Sequence, residues 1–420
     1  MGVRIDIPSD SPFTIHNIPY GVISTEEQPT PRCAVAIGSH AIDLVVYSTG
    51  GRLSEVDPDV EFQEVFNQPT LNSFAALPYT IRQHVRRKII EDINDFSIDN
   101  DCLIPLGTVR MHLPMRIGGF SDFYCSLEHC QNSTAFMSAG TQIPKNWFYA
   151  PSVYNSRVSS IIPSPQPLRR PRGVYFKDGD IPIYGPSQQL DYELEMGFFV
   201  SKPIPFGSEV KIESAPEHIF GFVLLNDWSA RDLQMFEMKP LGPFHGKGFA
   251  TSISSWVVTM DALNPFRCSP KTIQNPPPFE HLRWDGKEDG AIDINLKATL
   301  KRGNKTFTLG ASNLRYLYWT PFQQLTHHAS AMCGMDTGDL LGTGTISGDA
   351  TDDRGNKTEL GCLYEATHGG TQWVHLENGT KMKYLEDEDE IILEGWCKDK
   401  NGRTVLGFGD CMGKVLPSLR

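Results

Sequence analysis

Residues 191–199 read DYELEMGFF and place Asp191, Glu193 and Glu195 at alternate positions inside an apolar stretch. Alternate side chains of a strand share one face. The pattern therefore predicts a strand with three acids on one side and Tyr192, Leu194 and Met196 on the other. Like charges stacked on one face repel, and burying a lone carboxylate is costly. Two compensations are open: bulk water on a half-exposed sheet, or a cation held among the acids.

The rest of the chain limits the setting. At 420 residues it has room for two or three domains and a large core. A net charge of −12 argues against nucleic acid as the main partner. No stretch approaches the roughly 20 apolar residues of a membrane span. The start, MGVRIDIPSD, lacks the apolar centre of a signal peptide, so a cytoplasmic location is expected. Nine cysteines, an odd number, are then expected as reduced thiols. Cys125 and Cys130 flank His129, but no second ligand pair stands near them to suggest zinc.

An α+β chain, mainly β, is predicted. TIHNIPYGVISTEE and RCAVAIGSHAIDLVVY alternate as strands do, whereas residues 60–100 have helical spacing, clearest in YTIRQHVRRKIIEDIND. MHLPMRIGGFSD carries Pro114, Gly118 and Gly119, which places a boundary near residue 118 and divides the chain into 1–118 and 119–420. Short strands separated by Pro and Gly turns dominate the second part, and no repeat is visible. Its helices are expected at SDFYCSLEHCQN, DWSARDLQMFEM and FQQLTHHASAM.

Chemistry-bearing residues gather in a few of these segments. Asp122 and His129 are seven apart, so a helix would hold them on one face, roughly 10 Å apart. Asp227, Arg231, Gln234 and Met238 fall at helical spacing after the apolar run FVLL, so an acid, a guanidinium and an amide would project together. A capping Asp with a solvated Arg partner fits the first two equally well. Lys247 lies between Gly246 and Gly248, where backbone can approach a ligand closely. GTGTISG (342–348) lacks the spacing of a nucleotide loop and reads as a tight turn.

Taken together, DFYCSLEH, LDYELEMGFFV, FGFVLLNDWSARDLQ, PLGPFHGKGFATSIS, YWTPFQQLTHH and DLLGTGTISG resemble the fumarylacetoacetase (fumarylacetoacetate hydrolase) family, in order and over essentially the whole chain. The resemblance implies a small SH3-like N-terminal barrel domain, a mixed β-roll catalytic domain and a homodimer. It implies metal-dependent hydrolysis of a carbon–carbon bond in a β-diketone, giving fumarate and acetoacetate at the end of tyrosine and phenylalanine breakdown. By position it assigns Ca2+ or Mg2+ ligands to Asp122, Glu193, Glu195 and Asp227, with Lys247 and Thr251 in the metal's surroundings. It assigns the general base to His129 and the acid that orients it to Glu359. Arg231, Gln234 and Lys247 take the oxyanion, and Tyr124, Tyr154 and Thr345 touch substrate. Asp191 receives no role. Several positions depart from the family's pattern: Ser138 stands for an arginine and Met238 for a tyrosine, both on the substrate wall, while the family's Tyr-His-Gly-Arg appears as Tyr154-Asn155-Ser156-Arg157 and its Ser-Ser-Arg-Gln-His as Cys125-Ser126-Leu127-Glu128-His129. Three functions follow: hydrolysis of fumarylacetoacetate, hydrolysis of a related acylpyruvate-type diketone, or a silent metabolite-binding protein.

Overall fold

The structure is a computed structural model that describes residues 2–137, 142–285, 287–376 and 379–419. The N-terminal part holds a five-stranded antiparallel sheet. Its order is Leu103–Pro105, His40–Asp43, Arg32–Ile37, Tyr20–Ser24 and Arg110–Met111. The strand expected over AIDLVVY stops at Asp43, because its carboxylate accepts from Val45 N–H (3.0 Å) and Val46 N–H (3.3 Å) and starts a short helix, Leu44–Tyr47. The expected long helix is Tyr79–Asn94, which buries Val85, Ile89 and Ile93 on one stripe. The two parts of the chain share a core. Tyr20 exchanges backbone hydrogen bonds with Val257, and its ring packs with Phe74 against Phe220.

A mixed eight-stranded sheet carries the chemistry. Its path is Val153–Asn155, Phe120–Phe123, Leu340–Gly342, Leu194–Val200, Ile219–Asp227, Thr251–Ile253 and Ile161–Pro163, with Val258–Thr259 also pairing to Ile219–Asp227. Two pairings are parallel, Leu340–Gly342 with Phe120–Phe123 and Thr251–Ile253 with Ile161–Pro163. Leu194–Val200 and Ile219–Asp227 are buried at every position, as befits strands covered on both faces. A five-stranded sheet, Lys305–Asn313, Asn295–Arg302, Glu390–Lys398, Thr404–Leu416 and Leu168–Arg169, covers one side. In Glu390–Lys398 every second residue is buried, so its other face is more open to water.

Two of the expected helices are shorter than their sequence pattern. Asp122 and His129 do not share a helix. Strand pairing on both edges extends Phe120–Phe123, and the helix Leu127–Met137 begins only after Ser126, whose Oγ accepts from His129 N–H at 3.2 Å. Asp227 likewise ends a strand, and the helix that follows is Arg231–Glu237. The third, Pro321–Ala329, is present with a Thr320–Gln323 capping box. Among the described residues, no helix is long and apolar enough to cross a membrane.

Candidate active site

The acids of DYELEM are not a solvated face. Asp191, Glu193 and Glu195 are 0%, 5% and 1% exposed. Nor do they act as one row, because the strand is interrupted. Leu190–Asp191 pairs with Ser229–Ala230, while Leu194–Val200 joins the large sheet. Asp191 turns to Arg231, accepting from its Nε at 2.9 Å and from the N–H groups of Leu363 (2.8 Å) and Tyr364 (2.9 Å). It anchors a guanidinium and two orphan amides of the helix Leu363–Ala366. Glu193 meets two cations, Lys247 Nζ and Arg231 Nη1, the latter at 2.9 Å. Glu195 accepts from Gly344 N–H at 3.0 Å through one oxygen only.

Sheet register gathers Glu195 with Asp122 and Asp227. Gly342 pairs with Asp122 on one side and with Gly197 on the other. A Cβ at Gly342 would lie 2.7 Å from Asp122 Oδ1 and 3.4 Å from Glu195 Oε2, so only glycine lets the two carboxylates close over this strand. Gly344, at φ +77°, turns the chain beyond it. Asp122, Glu195 and Asp227 each offer an oxygen within 4.8 Å of the others. Glu193, expected as a fourth member, lies outside this group because its carboxylate is held by the two cations.

Three buried oxygens in the nest lack any hydrogen-bond partner: Asp122 Oδ1, Glu195 Oε1 and Asp227 Oδ1. The other oxygens of the two aspartates accept from Tyr154 Oη, at 3.0 Å and 3.3 Å, and Lys247 Nζ lies 2.5 Å from Asp227. Burial pushes the carboxyls of Asp122, Glu195 and Asp227 above their ordinary range, with mutual repulsion adding to it. Glu193 moves the other way, since Lys247 and Arg231 outweigh its burial. Unpaired buried acceptors of one charge fit a hard divalent cation with oxygen ligands. Lys247 does not join them as a ligand. Asp227 and Glu193 hold its ammonium protonated, so it has no lone pair to give and serves as a fixed positive charge. Thr251 is buried opposite Asp227 on the neighbouring strand.

Asp122, Glu193, Glu195 and Lys247 open on a cavity of about 360 Å³. Tyr124, Tyr154, Thr345 and Met238 form part of its wall, as do Arg231, Gln234 and Lys247. Arg231 Nη1 donates to Gln234 Oε1 at 3.1 Å, so the two move as a unit. His129 reaches the same cavity. Its Nδ1 lies 2.9 Å from Glu365 Oε2, a close ion-pair approach that falls short of an aligned hydrogen bond. The Tyr124 ring meets the imidazole edge-on at 5.3 Å.

Residues 16–114 match the family model for the fumarylacetoacetase N-terminal domain, and residues 119–415 that for the fumarylacetoacetate hydrolase C-terminal domain. The chain is 42% identical to human fumarylacetoacetase, over 99% of both chains. It is also 42% identical to the Arabidopsis thaliana enzyme, over 99% of this chain and 98% of that one. The chain belongs to the fumarylacetoacetate hydrolase family. This full-length kinship marks it as a hydrolase acting on carbon–carbon bonds. Among solved structures, fumarylacetoacetate hydrolase from Exiguobacterium antarcticum superposes with a TM-score of 0.50 at 16% identity, covering 95% of this chain and 99% of that one. A 2-hydroxyhepta-2,4-diene-1,7-dioate isomerase from Mycobacterium marinum gives 0.51 at 13%, over 96% and 100%. At such identities the likeness is one of fold.

One position assigned by family resemblance is corrected by the geometry. Glu359 does not face His129. It accepts from Tyr316 Oη (3.0 Å) and Ala350 N–H (3.1 Å) in a surface excursion, residues 348–360. Glu365 takes the place beside the imidazole. The signal for it was burial. CLYEAT sets a lone acid among apolar residues, whereas NKTEL sets Glu359 among polar ones. Ser138, one of the two departures on the substrate wall, lies outside the described residues. Met238, the other, caps the helix Arg231–Glu237 and faces the cavity. All nine cysteines are free, and Cys125 and Cys130 are buried, their thiols pushed up by burial.

Proposed function

We propose that the chain hydrolyses fumarylacetoacetate to fumarate and acetoacetate. One observation supports the reading: a single cavity is lined both by His129, which has Glu365 beside it, and by Asp122 and Glu195 of the carboxylate nest. The curated relatives at about this similarity are named fumarylacetoacetase.

His129, oriented by Glu365, takes a proton from water, and the hydroxide adds to a carbonyl carbon of the diketone. Arg231, Gln234 and Lys247 donate to the oxyanion that forms. Asp191 and Glu193 hold the guanidinium in place and keep it charged. The carbon–carbon bond then breaks, the hydroxyl staying on the acyl fragment and the electron pair leaving as an enolate. The proton on His129 returns to that enolate carbon, which balances the reaction. Asp122, Glu195 and Asp227 would hold a divalent cation, with Glu193 beside them. When bound, that ion supplies Lewis-acid polarisation of a diketone oxygen and offsets the repulsion among the acids. Oxygen-only donors favour Ca2+ or Mg2+.

A homodimer belongs to the same reading. The hairpin of Arg172–Asp178 and Ile181–Pro186 leaves Phe176, Ile181 and Tyr184 at 51%, 73% and 67% exposed, beside Phe236. An SH3-like N-terminal domain is supported by the five-stranded antiparallel sheet, and a cytoplasmic site by the unpaired cysteines. A second reading, a shorter acylpyruvate as substrate, is favoured by Met238. With Met235 and Pro243 it gives the cavity an apolar end where a phenol would donate.

Loss of the diketone's ultraviolet absorbance, with and without chelator, tests the reading. A kcat/KM of about 10⁴ M⁻¹s⁻¹ or more on fumarylacetoacetate, above that on shorter acylpyruvates, supports it. Faster turnover of the shorter diketones, with fumarylacetoacetate recovered by Ser138→Arg plus Met238→Tyr, supports the second. No turnover of any diketone contradicts both.

A further inference from the structure

A line of hydrogen bonds runs from the surface into the catalytic pair. Asn132 lies one turn beyond His129 on the helix Leu127–Met137, on the same face, and is 8% exposed. Its Nδ2 donates to Glu365 Oε1 at 2.7 Å. Its Oδ1 accepts from Lys357 Nζ, which reaches in from the excursion 348–360. The two ends agree on how the amide must point. An ammonium only donates, so it selects the amide oxygen, and an ionised carboxylate only accepts, so it selects the amide nitrogen. A flipped amide would oppose donor to donor and oxygen to oxygen.

We infer that Asn132 is a positioning residue for His129, acting through Glu365, and that Lys357 fixes the direction of its amide. Nothing in the family assignment uses either side chain. Asn132 does not line the cavity, so it acts on the imidazole rather than on bound substrate. Ser347 Oγ (2.8 Å) and Gly361 N–H (3.3 Å) donate to the other Glu365 oxygen, the one that also faces His129 Nδ1. Asn132 therefore supplies the hydrogen bond on the far oxygen and stops the carboxylate rotating away from the ring. With Glu365 ionised and so held, a carboxylate that can only accept favours the tautomer with its proton on Nδ1, leaving the Nε2 lone pair toward Ser133 Oγ at 3.4 Å. The groups facing the ring are Glu365, Cys362, Tyr124 and Ser133, with Glu193 acting at longer range; the Cys362 thiol also donates to Glu365 Oε2 at 3.3 Å. The excursion is itself tethered by Tyr316 to Glu359 and by Lys271 to Asp349, which keeps Lys357 in reach of Asn132.

The inference rests on His129 as the base, so the test carries one readout that needs no substrate. Asn132→Leu, Lys357→Met and Lys357→Arg are compared with the wild-type chain. Turnover of fumarylacetoacetate is measured together with the ¹⁵N shifts of the His129 ring in histidine-labelled protein. Asn132→Leu should lower kcat by about 10–100-fold, the scale for losing an orienting partner of a functional histidine, with KM changed by less than about twofold. The ring should pass from one Nδ1–H tautomer to a mixture. Lys357→Met should lower kcat about 2–5-fold and shift the ring in the same direction, and Lys357→Arg should restore both. Unchanged kcat and an unchanged tautomer in Asn132→Leu overturn the inference. Should that variant not fold, Lys357→Met at the surface decides, and an unmoved ring there overturns it equally. If the wild-type chain turns over no diketone, the proposed function fails while the ring spectra still judge the coupling.

Discussion

Glu195 and Glu365 are each 1% exposed and stand on opposite sides of one site, yet their surroundings push them in opposite directions. Glu365 receives hydrogen bonds from Asn132, Ser347 and Gly361 and faces His129, and these outweigh burial to hold its carboxyl below the usual range. Glu195 receives one backbone hydrogen bond, keeps one oxygen without a partner, and is driven up by burial and by Asp122, Glu193 and Asp227. Residue type and depth are the same; the difference is the supply of donors. One half of the site is complete with protein groups alone. The other half keeps three carboxylate oxygens without a donor, a set that fits a cation.

The largest effect should come from the complete half. His129→Ala should lower turnover by about two to four orders of magnitude, as loss of a general base does, with the bound ion retained at the wild-type level. Loss of the ion in that variant, read by elemental analysis, would show that the two halves are not separate. In the incomplete half, Glu195→Gln should weaken Ca2+ or Mg2+ binding by about tenfold or more, because ligand charge sets affinity. In chelator the same variant should melt roughly 1–3 °C above the wild-type chain, since it removes a buried acid crowded by Asp122, Glu193 and Asp227. A lower melting temperature in chelator would mean that Glu195 is already satisfied by protein groups.

Glu365→Gln should do the reverse. It should destabilise the chain by about 1–3 kcal/mol at neutral pH with or without ion, because Asn132 and Ser347 lose a charged acceptor. The pH dependence follows from the direction of the shift. A carboxyl held below its unfolded value adds stability above that value and loses it as pH falls through the folded one. The gap between Glu365→Gln and the wild-type chain should therefore narrow on acidification, measured by denaturant unfolding at stepped pH. A gap that widens toward acid would mean that Glu365 is not the stabilised anion.

Sequence patterns reveal these halves unequally. Alternation in DYELEMGFF and the apolar run FGFVLLND mark two neighbouring strands, and the acids they carry meet where local pattern places them. Periodicity misleads where long-range pairing prevails. Asp122 and His129 have helical spacing, yet pairing with Leu340–Gly342 and Val153–Asn155 makes the first a strand residue. Asp191 has the spacing of its two neighbours but not their role, because the strand breaks after it and Arg231 claims it. Glu365 leaves only a faint local trace. Its partner is 236 positions away in sequence, and only the folded chain brings the helices Leu127–Met137 and Leu363–Ala366 together.

In the proposed metal site, Asp122, Glu195 and Asp227 form a half-site that a divalent cation would complete. Calorimetric titration of chelator-treated protein with Ca2+ or Mg2+ tests it most directly. Saturation at about one ion per chain is expected for at least one of the two ions, with affinity weakened about tenfold or more in Glu195→Gln. No binding of either ion at about millimolar concentration, together with full diketone turnover in chelator, would contradict it.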